Sequence, residues 1–294
     1  MQELLQLGID GIAVGSILAL AAVGLTLTYG ILRLSNFAHG DFLTLGAYGT
    51  LLADRLVNNL GVAIAISVVF TVIFSLVLDR LLWSHFRRLR ATPTTMMIAS
   101  IGVALVIRNV IVLIWGASPQ RYNLPTFSAV NFLGIMITFN RLITIALAGV
   151  IIAGVYYLLQ NTKLGRAMRA VADNPELAKI SGVNVERIVA WTWVIAGAAA
   201  VLAGSMYGLI TNLRPGMGWS LILPMFGAVI LGGIGNPYGA IAGSMIIGVA
   251  QEVSTYCPDP SGFCVGTNYK LGVGLAMMIV VLLFRPQGLF KGTF

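Results

Sequence analysis

Charged side chains are scarce in this sequence. Lys, Arg, Asp and Glu make up 10% of the 294 residues, where a soluble domain carries roughly a quarter. With 58% hydrophobic residues and a mean hydropathy of +0.91, too little polar surface remains to coat a soluble globule. The composition excludes an ordinary soluble enzyme and points to an all-α polytopic membrane protein. Acids are scarcer than bases, 10 against 18, for a net charge of +8. The bases lie between apolar stretches, which argues for topology signals and against nucleic-acid binding. Two cysteines and two histidines, Cys257, Cys264, His39 and His85, make a closed four-ligand structural site unfavourable, so no metal is expected. Met1 to Leu7 holds Glu3 and no base, so no cleaved secretory signal is expected. The phosphate-cradling pattern G-x-x-x-x-G-K-[S/T] is also missing, so ATP cannot be held by that route.

What fills the chain is a series of apolar runs: 11–32, 37–53, 62–83, 93–115, 142–159, 188–210, 221–231, 240–253 and 271–284. A hydrocarbon core about 30 Å thick takes roughly 20 helical residues. Residues 1–294 therefore read as a single membrane domain of about eight to nine crossings, one or two of them short or broken. Bases concentrate in 32–35, 83–92, 161–187 and 285–294, whereas the alternate connections hold only Arg55, Arg121, Arg141, Arg214 and Lys270. The positive-inside rule then puts the N-terminus outside and the C-terminus in the cytoplasm. Arg108 lies inside a run and needs an acid or a polar surface; Glu252 is one candidate.

Three segments break the apolar monotony. In the first, Asn36, Phe37, His39, Gly40 and Asp41 fall together near the start of a short run; such polar groups either line a pathway or sit at headgroup level. In the second, Gly232, Gly233, Gly235, Asn236 and Pro237 separate two runs too short to span straight. Proline and glycine there disfavour a continuous helix, leaving an interior break or an ordinary cytoplasmic turn. The third is the longest cytoplasmic connection, 161–187. Helix formers over 164–173, Asn174 as N-cap, Pro175 at the first helical position and Gly182 as terminator predict two short helices with a bend near Asn174. Met168, Val171, Leu177 and Ile180 would give them one apolar face, and Arg166, Arg169 and Lys179 a charged one. Such an elbow suits either docking onto a partner or lying on anionic headgroups.

These three segments, in this order, resemble the marked regions of the permeases of branched-chain amino acid ABC importers, in particular the smaller of the two homologous permeases. The likeness runs from about Gly11 to Gly288. It implies a subunit of the bacterial cytoplasmic (inner) membrane that works with a second permease, two ATP-binding cassette subunits and a periplasmic substrate-binding protein. It implies no cofactor on this chain, with ATP and magnesium at the partner ATPases. The cargo would be branched-chain or other neutral amino acids along a pathway including Asn36, Phe37, His39, Gly40, Asp41, Gly232, Gly233, Gly235 and Asn236. The ATPases would act on 161–187, through Gly165, Arg166, Arg169, Ala172, Asp173, Asn174, Pro175, Glu176, Ala178 and Gly182. Asn236-Pro237-Tyr238 departs from the usual pattern, which bears on the substrate.

Other readings remain open on the sequence. Urea or short amides fit the same architecture, and an ATP-independent channel or secondary carrier would need no elbow. Ser205 and His39 offer a nucleophile and a base, but no acid is placed to orient them, so no catalytic residue is assigned. Cys257 and Cys264, separated by six residues on the predicted outer side, are either a disulfide or two free thiols.

Overall fold

The computed structural model describes residues 2–123, 130–132, 135–257, 266–285 and 287–290. Each of the nine apolar runs coincides with a helix, because only helices satisfy backbone amides without water along a buried segment. In chain order these are α1 (Gln2–Leu32), α2 (His39–Val57), α3 (Leu60–Leu78), α4 (Ser84–Arg88), α5 (Pro93–Trp115), α6 (Phe139–Asn161), α7 (Lys163–Asp173), α8 (Pro175–Ile180), α9 (Val185–Ile210), α10 (Met217–Gly232), α11 (Pro237–Val253) and α12 (Lys270–Phe284). A π-helical turn, Asp79–Trp83, joins α3 to α4, so the helix runs unbroken from Leu60 to Arg88. Among the described residues five helices are long and apolar enough to cross a membrane: α1, α3 with α4, α5, α6 and α9. Shorter apolar helices, α10 and α12 among them, accompany these. Among the described residues the chain departs from an all-helical reading at one short hairpin and at an antiparallel bridge between Gln120 and Leu213. Val130–Phe132 pairs antiparallel with Ile135–Ile137 in the connection between α5 and α6, where β-branched residues recur.

The centre of the bundle is α1, buried over most of its length and flanked by α11, α9, α6 and α10. Small residues set these distances. A Cβ on Gly248 would lie 2.4 Å from the Gly15 Cα, and one on Gly204 would lie 2.1 Å from the Leu43 carbonyl oxygen, so α1–α11 and α2–α9 meet backbone to backbone. Such contacts replace the hydrophobic drive that is missing between apolar helices in lipid. At one end of the bundle Tyr122 fills the space beside α2. Its hydroxyl donates to the Ala47 carbonyl oxygen at 3.1 Å, and burial pushes the phenol's pKa above its ordinary value.

Candidate functional site

The segment between α1 and α2 does not form a simple turn. α1 ends at Leu32, yet the His39 Nε2 lies 2.9 Å from the carbonyl oxygen of Ala21, eleven residues and about 16 Å back along α1. Residues 33–36, which have no regular structure, carry the chain back, and a turn at Phe37 and Ala38 leads into α2, the His39 amide donating to the Asn36 carbonyl at 3.2 Å. α2 therefore begins inside the bundle. Ser100 of α5 supports the returning segment, accepting from the Phe37 amide at 3.0 Å, while the Phe37 ring meets that of Phe226 at 4.7 Å. Asn36, His39 and Asp41 have no exposed surface. Asn36 Oδ1 accepts from the Ala38 amide at 3.1 Å. Asn36 Nδ2 and His39 Nδ1 have no hydrogen-bond partner among the described residues. Gly40 abuts the start of α10, where a Cβ would meet the Gly218 carbonyl oxygen at 2.3 Å.

Arg108 answers Asp41, not Glu252. Its Nη2 and Nε lie 3.1 and 3.3 Å from the two Asp41 carboxylate oxygens, and its guanidinium sits 4.9 Å from the Trp219 ring centroid. Glu252 instead takes Lys270, at 2.5 Å. The expected Arg108–Glu252 pair fails because the inward return of the chain brings an acid to α5 that a straight-helix reading puts elsewhere. Both charges stand inside apolar runs, and that shared anomaly was the signal available for pairing them.

The glycine-rich segment is a tight turn at one end of the bundle. Gly233 takes φ +113°, and its amide bonds back to the Val229 carbonyl. Asn236 caps α11, its Oδ1 accepting from the Tyr238 and Gly239 amides at 3.0 and 3.2 Å. The residues after α12 close over the turn: the Leu289 and Phe290 amides donate to the Leu231 and Gly232 carbonyls at 2.8 and 3.0 Å. Gln160, at the end of α6, donates to the Tyr238 hydroxyl at 2.6 Å, so the turn shares its end of the bundle with 161–187. Gly232 is buried while Gly235, at φ +85°, has open space around it. Thus Gly232, Gly233, Gly235 and Asn236 lie at a bundle end, while Asn36 to Asp41 lie inside it.

The elbow forms with the expected punctuation. Asn174 Oδ1 accepts from the Glu176 and Leu177 amides, both at 3.0 Å, Pro175 opens α8, and Gly182 takes φ +87°. Thr162 caps α7 through the Gly165 amide at 3.0 Å. Gly165 must be glycine, since a Cβ would lie 2.1 Å from the Leu159 carbonyl oxygen. Two arginines fasten the elbow to the bundle: Arg169 donates to the Leu159 carbonyl, and Arg33 to that of Ala172 at 3.1 Å. The predicted single apolar face divides in two. Met168 and Val171 are buried with Ala172 and Ala178, whereas Leu177 and Ile180 are 62% and 84% exposed. The bend at Asn174 rotates α8 relative to α7, so their apolar residues do not share one plane. Arg166, Asp173, Pro175, Glu176 and Lys179 are exposed beside them.

Ser205 and His39 are not brought together. Ser205 Oγ pairs with Thr50 Oγ1 at 2.9 Å, while His39 is engaged with α1. Cys257 is disulfide-bonded, which decides against its being a free thiol; Cys264, the chain's other cysteine, lies outside the described residues.

A family model described as branched-chain amino acid transport system / permease component matches residues 8–282. The chain is similar to the high-affinity branched-chain amino acid transport system permease protein BraD of Pseudomonas aeruginosa, 31% identical over 97% of this chain and 95% of the relative. The LivH permease protein of Salmonella typhimurium is 30% identical over 97% of this chain and 94% of its own length. The probable LivH of Methanocaldococcus jannaschii is 31% identical over 93% and 88%. With the matched region running from the first helix into the last, the chain belongs to the family of permease components of branched-chain amino acid transport systems.

Proposed function

We propose that this chain is a permease subunit of an ATP-driven importer and forms, with a homologous second permease, the pathway for branched-chain or other neutral amino acids. It crosses the cytoplasmic membrane nine times, with the N-terminus outside and the elbow and C-terminus in the cytoplasm. A periplasmic binding protein delivers the solute, and two separate ATPase subunits bind and hydrolyse magnesium-ATP. The transport role assigned to the relatives supports this reading.

The observation that carries it is the elbow. A buried inner face and two arginine tethers make it rigid, and its outer face presents Leu177 and Ile180 among charges. A lipid-lying helix would keep its apolar residues on one face, whereas this bend points two of them away from the bundle. Closure of the ATPase pair against 161–187 would be transmitted by α9, which follows directly, and by α1, which Arg33 ties to the elbow. The closure can shift the permease only by its differential affinity for the two states.

The test is purification of the complex and measurement of ATP hydrolysis against a panel of neutral amino acids and urea. Stimulation by leucine, isoleucine or valine is expected. Stimulation by urea alone transfers the assignment to short amides, and a chain that concentrates solute without any ATPase overturns the importer reading.

A further inference from the structure

At the end of the bundle away from the elbow, an open cavity of about 700 Å³ lies between the ends of α5 and α9 and the first turn of α10. The 26 residues of α9 put about 39 Å between it and the elbow. We propose that this cavity is a binding site for a zwitterionic α-amino acid, with Arg214 holding the carboxylate. The proposal rests on the amino acid importer reading and adds to it where, and by which groups, the permease itself meets the solute.

Two guanidinium groups line the cavity, Arg108 and Arg214. The first is committed: Asp41 neutralises it and Trp219 covers it. Arg214 is exposed and has no ion-pair partner among the described residues, and no carboxylate lines the cavity. A planar guanidinium without a countercharge matches a carboxylate in two-pronged fashion. Opposite charge on the solute finds a different set of atoms. The Thr211 hydroxyl donates to the Tyr207 carbonyl at 2.7 Å and that of Ser220 to the Met217 carbonyl at 2.7 Å. Both hydroxyl hydrogens are therefore used, and the lone pairs left on both oxygens can accept from an ammonium group. Val112, Ala117, Pro215 and Met217 supply apolar wall for an aliphatic side chain. The volume lies within the roughly 300–1,000 Å³ of small-molecule sites. A cation at the rim with acceptors beside it and an apolar wall favours a zwitterion over urea or an uncharged amide.

A cysteine in the cavity wall tests this in the assembled complex. Ala117→Cys is exposed for modification, and Cys257 is held in a disulfide. Modification of Ala117→Cys is followed with a sulfonate thiosulfonate reagent and with its trimethylammonium analogue. The sulfonate is expected to react faster, and leucine at about ten times its dissociation constant to slow it about tenfold. Leucinol, which lacks the carboxylate, is expected not to protect. Arg214→Gln should abolish both the sulfonate preference and leucine protection, and Arg214→Lys, which keeps the charge, should retain the preference. Equal protection by leucine and leucinol, or leucine protection that survives Arg214→Gln, overturns the assignment. Leucine-stimulated ATP hydrolysis by the unsubstituted complex without protection at Ala117→Cys overturns this inference alone. Absence of stimulation by every neutral amino acid overturns instead the amino acid importer reading on which this inference rests.

Discussion

Asp41 is a carboxylate with no exposed surface, and Arg108, whose side chain is 21% exposed, is its countercharge. Two bonds of 3.1 and 3.3 Å and the face of Trp219 make the pair a tie between the first turn of α2, the second half of α5 and the first turn of α10. Removing one partner leaves the other buried and uncompensated, which costs about 3–5 kcal/mol, whereas removing both is close to neutral. Asp41→Asn is therefore expected to lower the thermal midpoint of the solubilised protein sharply, and Asp41→Asn with Arg108→Met to restore most of it. A double variant no more stable than the single one would show that the pair acts through something other than mutual neutralisation. Glycine gives a second contrast at this scale. Gly218→Ala places a Cβ 1.9 Å from the Gly40 carbonyl oxygen, while Gly102→Ala meets nothing within 4 Å. The first is expected to abolish folded protein in size-exclusion chromatography, and the second to leave its yield unchanged or slightly raised, since alanine is the better helix former.

Between elements, the elbow depends on one side chain for its angle. Asn174 both ends α7 and caps α8. Asn174→Ala should cost about 1 kcal/mol locally and loosen the bend without unfolding the bundle. Leu177→Glu with Ile180→Glu touches no buried surface, so the folded yield should hold while copurification of the ATPase subunits falls at least several-fold. Retained association would remove the elbow from the coupling path. Much of this element was legible from residues alone, because caps, an N1 proline and a left-handed glycine are local signals that tertiary packing rarely overrides. Its facing was not legible. Whether Leu177 lies in line with Met168 depends on the turn at Asn174, a dihedral that periodicity does not contain. The segment before α2 illustrates the same limit. Its polar residues stood out in the sequence, but their inward return becomes visible only when His39 is found beside Ala21.

On the scale of the whole molecule, hydropathy found the helices and charge asymmetry supplied an orientation that can be measured. The helix ends sort into two groups. Gln160, Tyr238 and Phe290 gather with the elbow at one end. The other end joins Gln120 to Leu213 through paired backbone bonds of 2.9 Å and ties Arg55 to the Gln120 side chain at 3.0 Å. The first end is the base-rich one, holding Arg166, Arg169, Lys179 and Arg187, and the orientation proposed above, which follows the positive-inside rule, puts it in the cytoplasm. Exposed serines mark both ends, Ser181 on the elbow and Ser118 on the opposite connection. A membrane-impermeant maleimide should therefore label Ser118→Cys in intact spheroplasts and Ser181→Cys only in inside-out vesicles. The proposed orientation would put Cys257 on the oxidising side, where a disulfide persists. Labelling of Ser181→Cys in intact spheroplasts would invert the molecule. It would put the elbow beyond the reach of any cytoplasmic ATPase and the cavity at Arg214 on the side where imported solute leaves.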